Sequence, residues 1–388
     1  MSVRPDEKIQ YFKVKSQCKH APIPLLQSST DDQNLHSVGS MYSIKINNQR
    51  SLTMIKSILT LKTKAYGSCT ASASYKLYEE TDNFLLIPRV FGLLQYGCPL
   101  LDNRTAPHGE NVAKWHTNLV LSEWQDDAMR HVINCLLEPP LHSAVLSAAC
   151  GMGKTCMAIY LMCQLGLKSV VLVHKEFLLT QWVSRITQFC PDLNIGRVQG
   201  DIFNIGDVTL VMIQSICNGK YDSSLFDSVE LVIVDECHHL CASTFHKSMR
   251  LFKARYTLGL SATLKRGDGN ERAIFWFLGY PVVSCSRETG CSQQLSVRMV
   301  YSTECYVPDV RTTQNTLMFP TMLTRLIAKE NRIRLIVDEI VKLNMEQRHI
   351  LVISERIDLL DNLQITLKQQ GIHSVKYVGE TSKKKSTS

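Results

Sequence analysis

The sequence predicts an α/β protein built around a parallel sheet, and two observations support this prediction. Between about 115 and 285, short apolar runs (SAVLSAA, SVVLVHK, VTLVMIQ, ELVIVDE and YTLGLSAT) alternate with longer amphipathic stretches. Runs that are apolar throughout are typical of strands covered by helices on both faces, as in parallel sheets. Each run also ends in polar residues, and ligands of such sheets bind at the carboxyl ends of the strands. We therefore expect the functional residues at these strand ends.

The same pattern divides the chain into four segments. Residues 1–112 combine short strand-like runs with polar turns, which predicts a small mixed α+β module and a candidate nucleic-acid-binding surface. Residues 113–285 form the main α/β lobe, and residues 286–334 form a linker. From 335 to 388 a second helix–strand alternation, with strands at HILVIS and HSVKYVG, predicts the start of a second lobe.

The bulk composition indicates a soluble, intracellular protein of the cytoplasm or nucleus. The 388 residues carry a net charge of +8 and contain no uninterrupted apolar run of about eighteen residues. The N-terminus lacks an apolar leader segment, and no membrane association is expected. The basic balance suits a polyanion such as nucleic acid. The 14 cysteines form no C-x-x-C pair, and the DECHHLC cluster has no second ligand pair, so structural zinc is not favoured.

A phosphate-binding loop is indicated by SAACGMGKTC at residues 147–156. This stretch follows a predicted strand and opens a predicted helix, as a G-x-x-x-x-G-K-[ST] loop requires. Ala148 replaces the first glycine, which is tolerable if the position keeps a negative φ. Backbone N–H groups at the helix N-terminus would hold the phosphates, while Lys154 would reach the β/γ-phosphates and Thr155 would hold Mg²⁺.

Two carboxylates follow the strand ELVIV. Asp235 suits a place in the Mg²⁺ shell, through water, and Glu236 suits orienting and deprotonating the attacking water. A solvated strand end is the plainer alternative, but two acids directly after four apolar residues argue against it. ATP and Mg²⁺ are therefore the expected nucleotide and metal.

At this point the motifs resemble a known family. CGMGKT, DECH and SAT, in this order, resemble motifs I, II and III of superfamily 2 DExH helicases and translocases. LVHKEFLLTQW resembles motif Ia, and YTLGLSATLKRGDG resembles the R-x-D-G stretch of the branch typified by the large translocase subunit of TFIIH. Within that branch the chain is most similar to helicases of large DNA viruses, of the poxvirus transcript-release type. The resemblance covers residues 84–280 and implies a RecA-like lobe, ATP hydrolysis and movement on nucleic acid.

The resemblance also implies roles for individual residues of the nucleotide site. The implied catalytic residues are Lys154, Asp235 and Glu236. The implied nucleotide-binding residues are Gly151, Gly153, Lys154, Thr155, Cys156 and Gln125. Thr155 and Asp235 would hold Mg²⁺. Gln125, in LSEWQDDA, resembles the glutamine that reads adenine, whose edge an amide can pair with; without the resemblance it is a solvated helix residue.

Coupling and nucleic-acid contacts are implied in the same way. His238 would link the ATP site to motif III, where Ser261 and Thr263 would couple hydrolysis to nucleic acid. The implied nucleic-acid contacts are His174, Lys175, Gln214, Ser215, Lys265 and Arg266. Such motors grip the phosphate backbone, so binding should be sequence-tolerant and salt-sensitive. DNA is favoured over RNA, with transcription or repair proteins as partners; the oligomeric state stays open.

Two departures from the family pattern leave two function classes. Leu264 stands where the family has proline after SAT. After HILVISERIDLL, which resembles motif IV, no Q-x-x-G-R-x-x-R pattern appears, and its arginines contribute ~10³–10⁵ in rate. The first class is an ATP-dependent helicase or double-strand translocase in truncated or partial form. The second is a nucleotide-gated nucleic-acid-binding module with little ATPase activity of its own.

Overall fold

The computed structural model describes residues 7–12, 36–45, 49–62, 74–105, 114–241, 245–264, 270–287, 298–300, 307–313, 315 and 317–378. The chain divides into two units, Met1–Gln293 and Gln294–Ser388. The candidate contacts Lys265 and Arg266 lie outside the described residues.

Sixteen strands are described, all in the first unit. They are β1 (Glu7–Tyr11), β2 (Ser37–Val38), β3 (Tyr42–Lys45), β4 (Thr60–Lys62), β5 (Ser74–Lys76), β6 (Glu79–Glu80), β7 (Phe84–Ile87), β8 (Leu101–Asp102), β9 (Ser143–Ala148), β10 (Ser169–Val173), β11 (Ile195–Gln199), β12 (Ile202–Asn204), β13 (Val208–Met212), β14 (Leu231–Val234), β15 (Tyr256–Ser261) and β16 (Pro281–Arg287).

Ten α-helices are described, seven in the first unit and three in the second. They are α1 (Gln49–Ile58), α2 (Arg89–Tyr96), α3 (Glu123–Leu137), α4 (Lys154–Leu165), α5 (Glu176–Phe189), α6 (Ile213–Ile216), α7 (Arg272–Leu278), α8 (Phe319–Ile327), α9 (Glu330–Met345) and α10 (Ile357–Gln369). Short 3₁₀ helices cover Ser223–Phe226, Cys237–Cys241 and Phe245–Leu251.

The main sheet has nine strands in the order β1-β16-β9-β15-β14-β10-β13-β11-β12. The seven strands from β16 to β11 are parallel, and the two edge strands β1 and β12 pair antiparallel to their neighbours. The predicted parallel sheet is therefore confirmed. Its strand order brings the carboxyl ends of β9, β15, β14, β10 and β13 side by side at one edge.

Both faces of this sheet are buried, because successive residues of each strand join opposite hydrophobic clusters. Val171 and Val173 pack with helices α3, α4 and α5, whereas Val170 and Leu172 lie in a second cluster on the other face. A strand buried on both faces must be apolar at every position. This explains the continuous apolar runs that predicted the sheet.

A small module of five strands (β6-β7-β3-β2-β8), the β4–β5 pair and helices α1 and α2 shares that second cluster. Helix α2 packs on α7, where the rings of Phe91 and Trp276 meet edge to face at 5.5 Å. Arg89, buried at the start of α2, donates from its guanidinium to the carbonyl of Ala254 at 2.6 Å. The module is thus attached to the lobe through both apolar and polar contacts.

The first strand belongs to the main sheet rather than to the small module. Strand β1 does not join the small module but pairs with β16 at the edge of the main sheet, from Glu7 opposite Arg287 to Tyr11 opposite Val283. An alternating segment such as EKIQY does not specify which exposed sheet edge supplies its hydrogen-bond partners. The boundaries at 112, 285 and 334 stay predictions.

In the second unit, α8, α9 and α10 form a small apolar core. The strands predicted at HILVIS and HSVKYVG are not formed, since residues 348–354 and 372–378 have neither helix nor strand conformation. Leu351 and Ile353 are 83% and 85% exposed. A strand is stabilised by hydrogen bonds to a neighbouring strand, and the described part of this unit offers none. Across the described chain, no helix has the length and apolar character that crossing a membrane demands.

Candidate nucleotide-binding site

The predicted site residues lie along one edge of the main sheet. The phosphate loop follows β9, Ser261 ends β15, Asp235 follows β14 and His174 follows β10. Because these strands are consecutive neighbours in the sheet and parallel, their C-terminal residues face the same solvent-accessible edge. The topology therefore gathers groups that are more than a hundred residues apart in sequence.

The phosphate loop has the conformation expected of its sequence. Gly151 and Gly153 have φ of 78° and 83°, in the left-handed region that favours glycine. Ala148 is fully buried and is not among the residues with positive φ, so alanine fits the first position. The Lys154 Nζ donates to the Ala148 carbonyl at 2.9 Å, which places the ammonium across the mouth of the loop.

Residues after Lys154 continue the loop into helix α4. Thr155 and Cys156 are half-buried in its first turn, and burial raises the pKa of the Cys156 thiol. Unpaired backbone N–H groups at a helix N-terminus favour anions. The loop and first turn together can hold a phosphate chain.

Gln125 is fixed against the phosphate loop rather than exposed to solvent. Its Oε1 accepts from the Ser122 backbone N–H at 3.0 Å, as part of a capping box at the start of α3. Its Nε2 donates to the Met152 carbonyl at 3.0 Å. A Cβ built on Gly153 would lie 2.6 Å from this Nε2, so a larger residue would displace the Gln125 amide in addition to straining the backbone at φ 83°. Its role towards adenine stays a prediction.

Asp235 is buried, 6% exposed, and accepts two hydrogen bonds. Oδ1 accepts from the Glu236 backbone N–H at 3.0 Å, and Oδ2 accepts from the Trp182 indole at 2.8 Å. Burial raises the pKa of Asp235, an effect that the hydrogen bond from Trp182 and the charge of Lys154 oppose. A buried carboxylate beside a threonine-bearing phosphate loop supplies hard oxygen ligands that suit Mg²⁺.

Glu236 has φ of 49°, a conformation that non-glycine residues seldom adopt. Such backbone strain clusters at functional sites, where it re-aims a side chain. The turn leaves the carboxylate of Glu236 half-exposed, with Oε2 3.4 Å from His238 Nδ1. A carboxylate in this position can accept a proton from water.

Motif II and motif III are in direct contact. His238 Nδ1 lies 3.0 Å from the Ser261 Oγ, and the Ser261 hydroxyl donates to the Thr263 carbonyl at 2.8 Å. Because that hydroxyl proton is already donated, the Ser261 oxygen is left to accept from His238 Nδ1–H. The structure thus joins Glu236, His238, Ser261 and Thr263 in one chain of polar contacts.

The candidate nucleic-acid contacts on β10 and β13 lie at the same edge. Gln214, exposed after β13, donates to the His174 carbonyl at 2.7 Å, and the Ser215 hydroxyl accepts from the Gly200 N–H at 3.0 Å. The His174 and His239 rings lie 3.9 Å apart. Burial and the neighbouring His239 lower the pKa of His174 to about 4, so this imidazole is neutral at neutral pH.

Lys175 is exposed at the N-cap of α5, with its Nζ 5.9 Å from the Phe177 ring. Nothing in the described structure tests whether Lys175, or the other proposed contacts, bind nucleic acid, and these roles stay predictions.

Comparison with known proteins shows which family this site resembles. Residues 118–266 match the model of the family described as "Type III restriction enzyme, res subunit" (ResIII). This part of the chain is therefore similar to a ResIII helicase domain. The match spans the phosphate loop, the Asp235–Glu236 pair and the contact between His238 and Ser261.

Proteins similar to this chain occur in viruses and in archaea. A protein of Acanthamoeba polyphaga mimivirus, named as an ATP-dependent RNA helicase, is 28% identical over 327 residues, which are 80% of this chain and 62% of that protein. A helicase of Invertebrate iridescent virus 6 is 31% identical over 56% of this chain and 49% of its own length. A protein of Halobacterium salinarum, named as the DNA 3'-5' helicase Rad25, is 29% identical over 49% of this chain and 30% of its own length. The chain therefore spans less than two thirds of these relatives.

Among solved structures, the SWI2/SNF2 ATPase core of Sulfolobus solfataricus, in complex with double-stranded DNA, matches 43% of this chain and 37% of its own. The sequence identity is 16% and the TM-score is 0.37.

The sequence does not reveal the roles of Trp182 and His239 in this site. Trp182 lies within LVHKEFLLTQW, and a tryptophan at the spacing of Leu179 and Ile186 is typical of a helix's apolar face. A buried indole N–H nonetheless requires an acceptor. The available signal was the two acids that end a neighbouring strand, but the adjacency of α5 and β14 could not be read from the sequence.

We expect Trp182→Phe to lower the free energy of unfolding by about 2 kcal/mol, because it removes a hydrogen bond to a charged, buried carboxylate. Urea denaturation of Trp182→Phe, Asp235→Ala and the double variant would measure the coupling, expected to be at least about 1 kcal/mol. Trp124→Phe is the matched control, since Trp124 is buried in the same cluster and donates neither of the two hydrogen bonds that Asp235 accepts. Equal coupling for both tryptophans would contradict the assignment of the indole hydrogen bond.

Proposed function

We propose that the chain is an ATP-dependent superfamily 2 motor that acts on nucleic acid, with double-stranded DNA as its substrate and transcription or repair as its setting. The observation that supports this best is the polar chain from Glu236 through His238 to Ser261 and Thr263, beside the phosphate loop. These polar contacts connect Glu236, a residue suited to hydrolysis, with the motif that the family uses for coupling.

The roles proposed for the nucleotide site follow from its geometry. Lys154, which donates to the Ala148 carbonyl across the loop, would exchange that partner for the β- and γ-phosphates of ATP. Asp235 and Thr155 would hold Mg²⁺, which when bound neutralises charge on the β- and γ-phosphates. Glu236 would take the proton of the attacking water. Gln125 would keep its hydrogen bonds to Ser122 and Met152 and offer adenine the second N–H of Nε2 and the second lone pair of Oε1.

DNA is proposed over RNA on the strength of the Rad25-type relatives, although the mimivirus relative is named for RNA. The net charge of +8 supports a polyanionic substrate but does not distinguish the two. Binding through phosphates should weaken steeply with salt, in proportion to the number of phosphates contacted.

A second candidate is a nucleotide-gated nucleic-acid-binding module with little ATPase activity. The 388 residues contain no Q-x-x-G-R-x-x-R pattern, and an arginine that reaches the γ-phosphate contributes ~10³–10⁵ in rate. On this alternative the site binds ATP and changes its affinity for nucleic acid without appreciable turnover.

Steady-state ATP hydrolysis by the 388-residue chain, with no nucleic acid, with double-stranded DNA and with single-stranded RNA, tests the proposal. We expect DNA to raise the rate at least about tenfold and RNA to raise it less. Turnover stimulated only by RNA would contradict the substrate proposed. ATP binding without turnover under all three conditions would favour the nucleotide-gated module.

A further inference from the structure

Two cysteine sulfurs meet in the core of the first unit, near the end of α4 that lies opposite the phosphate loop. Cys163 lies near the end of α4 and Cys190 is the C-cap residue of α5. Their Sγ atoms are 3.3 Å apart, and the residues are 0% and 1% exposed. This separation is shorter than an ordinary contact between two sulfur atoms and about 1.3 Å longer than a disulfide bond.

An irregular segment, residues 114–119, is hydrogen-bonded to the two helix ends that carry these thiols. We call this segment the strap. The Trp115 N–H donates to the Cys163 carbonyl at 2.9 Å, and the Asn118 N–H donates to the Phe189 carbonyl at 2.9 Å. The Thr117 hydroxyl also donates to Phe189 at 3.1 Å. The strap has no regular secondary structure, and besides these bonds it is held by Lys114, which donates to Gln164 at 2.8 Å, and by the packing of Trp115 on the core. It can therefore open locally at the cost of a small number of contacts.

We propose that Cys163 and Cys190 are a reactive thiol pair that hydrogen peroxide converts into an intrachain disulfide when the strap opens. One thiolate attacks a peroxide oxygen, which breaks the O–O bond, forms a sulfenic acid and releases hydroxide. The second thiol then displaces the sulfenic hydroxyl, the S–S bond forms, and water leaves. In total two thiols are oxidised, one peroxide is reduced, and two waters are produced.

Either thiol can be the first nucleophile, because either sulfur can donate the hydrogen bond across the 3.3 Å contact. The thiolate is the reactive form. The thiol that ionises attacks the peroxide, and the thiol that stays protonated resolves the sulfenic acid.

The disulfide would join the ends of α4, which begins at the phosphate loop, and α5, which carries Trp182. Cross-linking residues 27 apart restricts the unfolded chain, so we expect the oxidised protein to melt roughly 5 °C higher than the reduced protein. This increase in melting temperature should disappear when the disulfide is reduced.

The test treats the full chain with hydrogen peroxide under native conditions, removes the peroxide with catalase, and alkylates the free thiols after unfolding. Non-reducing peptide mapping by mass spectrometry should find the Cys163 and Cys190 peptides joined, and dithiothreitol should separate them. In the same samples, the melting temperature should rise when the disulfide forms and return to its original value when dithiothreitol reduces the disulfide. Cys163→Ser and Cys190→Ser should each lose the link, whereas Cys98→Ser, at an exposed position, should keep it.

Because the peptide map uses the unaltered chain, it does not depend on the variants folding. Complete alkylation of both thiols after peroxide treatment would overturn the proposal. Oxidation of either residue to a sulfinic acid without the link would overturn it as well.

Discussion

Glu236→Gln is expected to lower the rate of ATP hydrolysis by roughly 10²–10⁴-fold while ATP still binds. Glutamine has the shape of glutamate and cannot take a proton from water. The carboxylate lies half-exposed at the sheet edge, 3.4 Å from His238, and is held there by a backbone with φ of 49°. Single-turnover hydrolysis measures the chemical step, and equilibrium binding of a fluorescent ATP analogue measures affinity.

Glu176→Gln is the matched control, because it makes the same chemical change at an exposed position on α5 whose nearest ion pair, with Arg197, spans 3.7 Å. Exposed pairs of this kind contribute little, so hydrolysis should stay within about twofold of the unaltered chain. A similar loss in both variants, or no loss in Glu236→Gln, would remove Glu236 from the role of general base.

Much of the fold could be predicted because a parallel sheet buried on both faces requires apolar residues at every strand position. Every residue of SVVLV and LVIV is buried. For a run this short, such burial requires a strand that is covered on both faces of the sheet. The order of the strands could not be predicted in the same way. β9 pairs with β15 and β16, which follow it by more than a hundred residues. The residue pattern of a strand does not identify a pairing partner that is so distant in the sequence.

The failures have the same physical origin. β1 lies in the segment 1–112 that the sequence pattern assigns to the small module, but its partner β16 follows it by about 270 residues in the sequence. The HILVIS segment also reads as a strand, yet it has no strand conformation in the described structure. The periodicity of the side chains predicts which faces of a segment are buried. Whether the segment pairs as a strand depends on which other strands the fold brings next to it.

The candidate site shows the same division. Lys154, Asp235 and Ser261 could be located because each ends a strand or begins the helix after one, and strand ends of a parallel sheet converge at one edge. Trp182 and His239 could not, because their contacts with Asp235 and His174 depend on how α5 and the Cys237–Cys241 turn sit over neighbouring strands. Local motifs therefore identify the groups that would meet the nucleotide, and tertiary packing identifies those that position them.

Lys154→Ala is expected to weaken ATP binding roughly 100-fold or more, because the ammonium would make charge-assisted hydrogen bonds to two phosphates, each worth about 1.5–3 kcal/mol. In the structure Nζ already lies at the mouth of the loop, 2.9 Å from the Ala148 carbonyl. Since Lys154 would reach the β- and γ-phosphates, the loss should be large for ATP and ADP and small for AMP. Isothermal titration of all three nucleotides measures this difference.

Lys168→Ala, at an exposed position beyond the end of α4, controls for the loss of one positive charge and should change none of the three affinities by more than about twofold. Circular dichroism melting of Lys154→Ala separates lost phosphate contacts from a collapsed loop. A folded variant with unchanged ATP affinity would exclude this loop as the phosphate site. A loss that is equal for ATP and AMP would instead place Lys154 at the α-phosphate or in support of the loop, because only a contact beyond the α-phosphate distinguishes the two nucleotides.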